Sequence, residues 1–493
     1  MTPTDLNHYT QQDMPLLSAL KHYAGQDIAA FDVPGHKRGR GVPVLGEYFG
    51  RELMAMDVNS LPALDNAGHP TGVIKAAQGL MAEAYGADAA FFMTNGTTSA
   101  IHAMLMAVIN QGDTVLLPRN IHKSAINGLI LCGGVPLYMD APFIPSRGIT
   151  ANVTPEQIQE MLTLHPHIKA VFLLNPTYYG MTADLRAIAD ICHERGVLLL
   201  VDEAHGAHLP FHPELPVSGM EAGADIACTS IHKTGGALTQ ASVLLVNRKR
   251  VSVNRVQQVI NVLQSTSCSY LLMGSLDGAR YNLVQHGESQ LGEALRLADY
   301  AREQLNQLPG ISTINDNGSP HLFDRTKLGI TVSGLGLTGF DVYDIMHERY
   351  DIQLELADLN NVLAIISLGD TQQAVDRLVA AFTELATSHA GQSQAEPAVD
   401  SLTQMTPPVV KLSPREAFYA DKHLIPLGDS VGRICGESIM AYPPGIPIIA
   451  PGEVITEQVV TVLRTLQASN AYLTDNYDPS LTQVLVIKED TPC

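Results

Sequence analysis

The chain has 493 residues, too many for one hydrophobic core, so several domains are expected. Hydrophobic residues make up 45% and charged residues 16%, which excludes a disordered or fibrous chain. A formal charge of −20, from 50 acidic against 30 basic residues, argues against nucleic acid or an anionic membrane as partner and suits a small basic molecule.

Residues 1–50 read as an N-terminal arm. It carries a short helix around Pro15–Leu20 and then the turn Pro34-Gly35-His36-Lys37, which exposes a histidine beside basic residues. The first residues have no basic segment followed by an apolar one, and no apolar run approaches the roughly 18 residues a membrane helix needs. The cysteines (Cys132, Cys192, Cys228, Cys268, Cys435 and Cys493) form no CxxC pair and read as reduced thiols. A soluble, cytoplasmic protein is the expectation.

From about 85 to 247, apolar runs alternate with helical patterns. The runs are Ala89–Met93, Thr114–Leu117, Val135–Met139, Ala170–Leu174, Val197–Val201, Asp225–Cys228 and Ser242–Val246; helices are expected over Ser99–Ile109 and Ala183–Glu194. Seven buried strands separated by helices predict a mostly parallel α/β sheet. Ligands bind beyond the carboxyl ends of such strands. A long helix, roughly Gly274–Leu308, leads to a second region with a strand near Gly329–Ser333, a helix over Gly339–Arg349 and a strand over Ile352–Leu356. The polar stretch 388–409 reads as a linker, and 410–493 as a last domain. The expected division is therefore arm 1–50, large domain 51–300, small α/β domain 301–387, linker 388–409 and C-terminal α+β domain 410–493.

Four strand ends carry residues suited to chemistry. After the first run comes Asn95-Gly96-Thr97-Thr98-Ser99, a glycine and hydroxyls opening a helix, which suits a phosphate; simple helix capping is the alternative. After the second run comes His122, able to lie flat on a ring. After the fifth comes Asp202-Glu203-Ala204-His205, where a carboxylate set by an apolar strand needs a partner such as a protonated pyridine nitrogen. After the sixth comes Thr229-Ser230-Ile231-His232-Lys233-Thr234-Gly235-Gly236. This places a lysine among hydroxyls and a histidine, and a partly desolvated lysine there can condense with an aldehyde cofactor. Taken singly, each is ordinary loop composition. Their joint order describes a pyridoxal-phosphate site of the aspartate-aminotransferase kind.

The segment Ser230-Ile231-His232-Lys233-Thr234-Gly235-Gly236 through Gln240-Ala241-Ser242 resembles the lysine signature of the bacterial ornithine/lysine/arginine decarboxylase family. Pro34–Lys37, Asp202–His205, Gly445-Ile446-Pro447 and Pro451-Gly452-Glu453 extend the likeness over nearly the whole chain. It implies a fold type I enzyme dependent on pyridoxal 5'-phosphate, in a short form without an N-terminal receiver-like domain. By resemblance, Lys233 carries the cofactor and Asp202 faces the pyridine nitrogen. His122 stacks on the ring, and Ala204 and His205 lie by its other side. Gly96, Thr97, Thr98, Ser230 and His232 bind the phosphate. The Gln264–Ser267 segment, with Ser265 and Thr266, reaches the phosphate of a second subunit, which makes a homodimer the minimum unit and leaves a tetramer open. Glu355 pairs with the distal cation of the substrate, with His36 also on the substrate side. Lys233 and His232 are both candidate proton donors. Arginine, giving agmatine, is the preferred substrate; lysine or ornithine, giving cadaverine or putrescine, is the alternative.

Three other readings compete. Gly334-Leu335-Gly336-Leu337-Thr338-Gly339 is a literal dinucleotide fingerprint, between a strand and a helix and followed by the acid Glu355. His205, His208 and His212 hint at a metal, although no carboxylate stands at helical spacing beside them, and no metal is expected. An aminotransferase or amino-acid lyase is the third; an aminotransferase needs a late arginine for the substrate carboxylate, for which Arg415 or Arg433 would serve.

Overall fold

The computed structural model describes residues 9–315, 322–389, 408–441, 446–468 and 473–488. Most of the expected linker, the Tyr442–Gly445 turn and Cys493 lie outside them. The seven apolar runs form seven strands: β1 (Ala89–Met93), β2 (Thr114–Pro118), β3 (Val135–Met139), β4 (Ile168–Leu174), β5 (Leu198–Asp202), β6 (Ile226–Thr229) and β7 (Ser242–Val246). They make one sheet in the order β1-β7-β6-β5-β4-β2-β3. β2 runs parallel to β3 and β4, and β5 parallel to β6; β7 is antiparallel to both β1 and β6. Every residue of β5, β6 and β7 is buried, which explains why these strands read as continuous apolar runs rather than alternating ones.

Two compact units divide the chain, one of residues 1–108, 200–213 and 217–289, the other of 109–199, 214–216 and 290–493. In the first, helix α1 (Pro15–Ala24) starts with proline, whose missing N–H would be unsatisfied there anyway. The next two N–H groups, of Leu16 and Leu17, donate to the buried carboxylate of Asp277 at 2.9 and 3.2 Å. Arg280, also fully buried, donates to Asp277 at 2.9 Å and to the Gln11 carbonyl at 2.9 Å. The arm is thus anchored by a hydrogen-bonded ion pair on the long helix α7 (Tyr270–Leu305). Between them in sequence lie α2 (Val73–Ala84), α3 (Gly96–Val108), α4 (Lys123–Cys132), α5 (Leu185–Glu194) and α6 (Ile231–Thr234).

The second unit holds a four-stranded antiparallel sheet. Its strands are β8 (Ser312–Thr313), β9 (Lys327–Thr331), β10 (Leu356–Ala357) and β11 (Asn361–Ile365), in the order β8-β9-β11-β10. Helices α8 (Gly339–Tyr350) and α9 (Gln372–Ser388) pack into its core through Val342, Met346, Leu378 and Phe382. The strand expected over Ile352–Leu356 is corrected to Leu356–Ala357 alone. Asp351 turns left-handed at the end of α8, and the Ile352 N–H donates back to the Met346 carbonyl, so these residues close a helix instead of pairing in a ladder.

The antiparallel pairing also overturns the dinucleotide reading of Gly334–Gly339, which needs a parallel βαβ unit. Packing accounts for the glycines instead. A Cβ on Gly334 would lie 2.7 Å from the Gly310 carbonyl oxygen, and one on Gly339 would lie 2.2 Å from that of Asn361. The chain's own backbone fills the space a pyrophosphate would take.

The C-terminal part of this unit pairs β12 (Lys422–Pro426) with β16 (Gln483–Ile487). A three-stranded sheet joins β13 (Ile439–Ala441), β14 (Ile446–Ile449) and β15 (Leu473–Thr474), and helix α10 (Glu457–Ala468) covers the shared core.

Candidate active site

Most of the predicted site residues come together in the first unit. β5 ends in Asp202, 1% exposed, and β6 beside it leads through Ser230 into the single turn of α6 that carries Lys233. The Ala204 N–H donates to Asp202 Oδ1 at 3.1 Å, bending the chain after the strand. Burial pushes the Asp202 carboxyl up to about 6, against the opposing pull of the Ala204 N–H and the Lys233 charge. A cationic ring nitrogen would meet the need of this buried acid. His205, 1% exposed, lies with Nε2 2.8 Å from Lys233 Nζ. Lys233 is exposed as a residue, while the contact of its Nζ with His205 is partly buried.

The anion cup is formed by the N-terminus of α3 and by Ser230. Gly96 has φ +71°, a left-handed turn that glycine adopts without strain. Thr97 is buried, and its Oγ1 lies 2.5 Å from Ser230 Oγ; Thr98 is exposed. Ser230 precedes α6, yet its side chain makes no capping bond, so the hydroxyl is turned to Thr97 instead. His232 Nδ1 lies 3.1 Å from the Ala241 carbonyl, which can only accept, so Nδ1 carries a ring proton.

The fit of these residues to a pyridoxal phosphate can be judged from unmet polar groups. The buried hydroxyls of Thr229 and Thr234, flanking Ser230 and Lys233 in sequence, have no hydrogen-bond partner among the described residues. A buried acid, a lysine, an unused set of hydroxyls and a helix N-terminus match the ring nitrogen, aldehyde and phosphate of that group.

Other predicted residues sit elsewhere. His36 is held in its own turn: Nδ1 accepts the Gly39 N–H at 3.1 Å and Nε2 lies 3.1 Å from Asp57 Oδ2. Ser265 and Thr266 are exposed just before α7. In the second unit, His122 caps α4, its Nδ1 accepting from Ser124 N at 3.2 Å and lying 2.7 Å from Ser124 Oγ, which fixes the ring. Glu355 is exposed and its N–H donates to the Leu363 carbonyl at 2.9 Å. Arg415 donates to the Ile130 and Leu131 carbonyls at the end of α4, which removes it as a substrate clamp.

The sequence motifs include Glu203, Gln240 and Ser242 but assign them no part in supporting the site. Glu203 is 1% exposed and accepts the Gly219 N–H at 2.7 Å. Gln240 takes φ +75°, which nothing in its side chain announces, and Ser242 reads as an ordinary strand residue.

Comparison with known proteins shows the family to which the chain belongs. The major domain of the Orn/Lys/Arg decarboxylases matches residues 14–328, and their C-terminal domain matches 399–475. The chain is 42% identical over 485 residues to the arginine decarboxylase of Halalkalibacterium halodurans, covering 97% of this chain and 98% of that one. It is likewise 42% identical to the arginine decarboxylase of Bacillus subtilis, over 97% and 99% of the two chains. The crystal structure of the Francisella novicida lysine decarboxylase superposes with a TM-score of 0.83 at 21% identity, covering 97% of this chain and 82% of that one.

Proposed function

From the premise that the chain belongs to the Orn/Lys/Arg decarboxylase family, we propose that it releases the α-carboxylate of arginine as carbon dioxide, leaving agmatine, with pyridoxal 5'-phosphate held on Lys233. Arginine is preferred over lysine and ornithine because the near full-length relatives at 42% identity are named arginine decarboxylases. The observation that carries the reading is the juxtaposition of Lys233 Nζ with His205, next to the buried acid Asp202.

When bound, the cofactor supplies an electron sink for the pair left as the Cα–carboxylate bond breaks. Asp202, whose carboxyl burial raises against the pull of the Lys233 charge, would face the ring nitrogen and favour its protonated form. Thr97, Ser230 and the first N–H groups of α3 hold the phosphate. His205 fixes the approach of Lys233 Nζ. The proton returned to Cα comes from Lys233 Nζ or from His232 Nε2, the ring atom not bonded to Ala241.

His122 and Glu355 keep the roles implied by resemblance, against the ring face and on the guanidinium. The exposure of Ser265 and Thr266 supports a homodimer in which these hydroxyls serve a second copy. The five-part domain division read from the sequence is proposed with it, supported by separate major and C-terminal matches. A cytoplasmic setting is proposed from five free cysteines and from the lack, among the described residues, of any helix long and apolar enough to cross a membrane.

The test is an absorbance spectrum of the purified protein with product assays on arginine, lysine and ornithine in parallel. A visible band that disappears in Lys233→Ala, with agmatine as the main amine, is expected. No band after addition of pyridoxal phosphate would sink the cofactor reading, and cadaverine or putrescine as the main product would move the substrate.

A further inference from the structure

The three residues Gln240, Ala241 and Ser242 tie the two halves of the anion cup together. The Gly96 N–H donates to the Gln240 carbonyl at 3.0 Å, and the His232 N–H donates to the Ala241 carbonyl at 3.2 Å. The turn before α3 and the turn of α6 are therefore registered against one short stretch of chain. Gln240 reaches this position through a left-handed backbone, φ +75°, rare for a residue with a Cβ and a mark of a locally imposed geometry.

Ser242 extends the link into the side chains. It is fully buried at the start of β7, opposite Met93 at the end of β1. Its hydroxyl donates to the Gln240 carbonyl at 3.4 Å and accepts from Thr97 Oγ1 at 3.1 Å, while Thr97 Oγ1 lies 2.5 Å from Ser230 Oγ. Each hydroxyl has one proton to give. With the Ser242 proton on Gln240 and the Thr97 proton on Ser242, the bond between Thr97 and Ser230 must use the Ser230 proton. All three protons are then committed within the protein. Donation to an anion by both Thr97 and Ser230 takes away the proton between them, so their short contact opens, and Ser242, the other described hydroxyl bonded to Thr97, supplies the replacement proton there. The bond it gives up is the longest of the three.

We propose that Ser242 is a positioning residue for the phosphate-binding hydroxyls: by turning its proton from the Gln240 carbonyl to Thr97, it frees the Thr97 and Ser230 protons to donate to a phosphate ester. The inference rests on the reading of this site as one for pyridoxal 5'-phosphate. It is distinct from simple packing, because it concerns only ligands that bear a phosphate.

The test is calorimetric titration of the apoprotein with pyridoxal 5'-phosphate, with pyridoxal and with inorganic phosphate, for the wild type, Ser242→Ala and Ser242→Cys. Ser242→Ala is expected to weaken pyridoxal phosphate and phosphate by roughly five- to tenfold, the size of one hydrogen bond, and to leave pyridoxal unchanged. Ser242→Cys keeps the branching with a slightly larger atom that is a poor donor, is expected to fall between the two, and serves alone if the alanine variant does not fold. Wild-type affinity for the phosphate ligands in the variants, or an equal loss for pyridoxal, overturns the role of Ser242. A wild type that does not prefer pyridoxal phosphate to pyridoxal overturns the cofactor reading itself, and the role of Ser242 with it.

Discussion

Lys233 Nζ and His205 Nε2 lie 2.8 Å apart at the ends of neighbouring strands, one side chain exposed and the other 1% exposed. While Lys233 is an ammonium it can only donate, so His205 accepts at Nε2 and carries its proton on Nδ1. A buried ring thus sets where an exposed lysine rests. His205→Ala is expected to lower kcat on the order of a hundredfold, the scale of a lost proton-handling partner, while the visible cofactor band persists. Stopped assays alongside spectra check this. An unchanged kcat would remove His205 from the machinery.

Glu203 follows Asp202 directly, and burial pushes its carboxyl up to about 8 from 4.5, with the neighbouring Asp202 and Glu221 charges adding to the rise and the Gly219 N–H opposing it. Tyr85, whose own hydroxyl is raised by burial, also faces it. A carboxyl raised in the folded state binds its proton more tightly there than in the unfolded chain. Its contribution to stability is therefore full below about 4.5, falls as pH rises toward about 8 and is level above. Glu203→Gln removes that slope. Relative to wild type, its melting temperature should gain by about a few degrees between pH 5 and pH 9. A constant difference across that range would show that Glu203 is ionised in the native state.

The strands were legible in sequence because those of the sheet's centre are buried on both faces and read as unbroken apolar runs. The candidate site was legible because its residues sit at strand ends, where the fold class places ligands: the structure places Asp202 at the end of β5 and Lys233 just after β6. Ile352–Leu356 misled because its apolar residues serve helix closure by Ile352 and core packing by Leu354, neither of which has a strand's period. Gly334–Gly339 misled because the motif records only small residues. Whether a phosphate or another backbone approaches them depends on the direction of the paired strands. Gln240 and Ser242 were not legible as support, since a left-handed carbonyl and a buried hydroxyl chain exist only once β7 is paired with β1.

The Arg119 guanidinium forms two bonds to the Glu453 carboxylate, that between Nη2 and Oε2 being 2.9 Å, and Glu453 is 1% exposed. Glu453 also accepts the Ala450 N–H at 2.7 Å, and Arg119 donates to the Ile448 carbonyl at 3.0 Å. Because both charges are buried or nearly so, losing one partner leaves the other charge alone. Glu453→Ala is expected to destabilise the protein by about 3–5 kcal/mol, and Arg119→Met with Glu453→Leu together by clearly less. Denaturant unfolding of the three proteins decides it. A double variant as unstable as the single one would assign the loss to shape rather than charge.

Glu355 is exposed but its backbone is pinned to Leu363, so the carboxylate is presented from a fixed point with no protein cation bonded to it among the contacts of the described residues. A guanidinium meets a carboxylate through two parallel N–H bonds, whereas an ammonium meets it as a point charge. Glu355→Gln keeps the shape and removes the charge. If the pair holds the substrate equally before and during reaction, KM for arginine should rise roughly tenfold with kcat little changed, and the loss should be larger for arginine than for lysine. Steady-state kinetics on both substrates measure this. An unchanged KM for arginine would take Glu355 out of substrate recognition and return the question of the distal contact to the other acidic residues of the second unit.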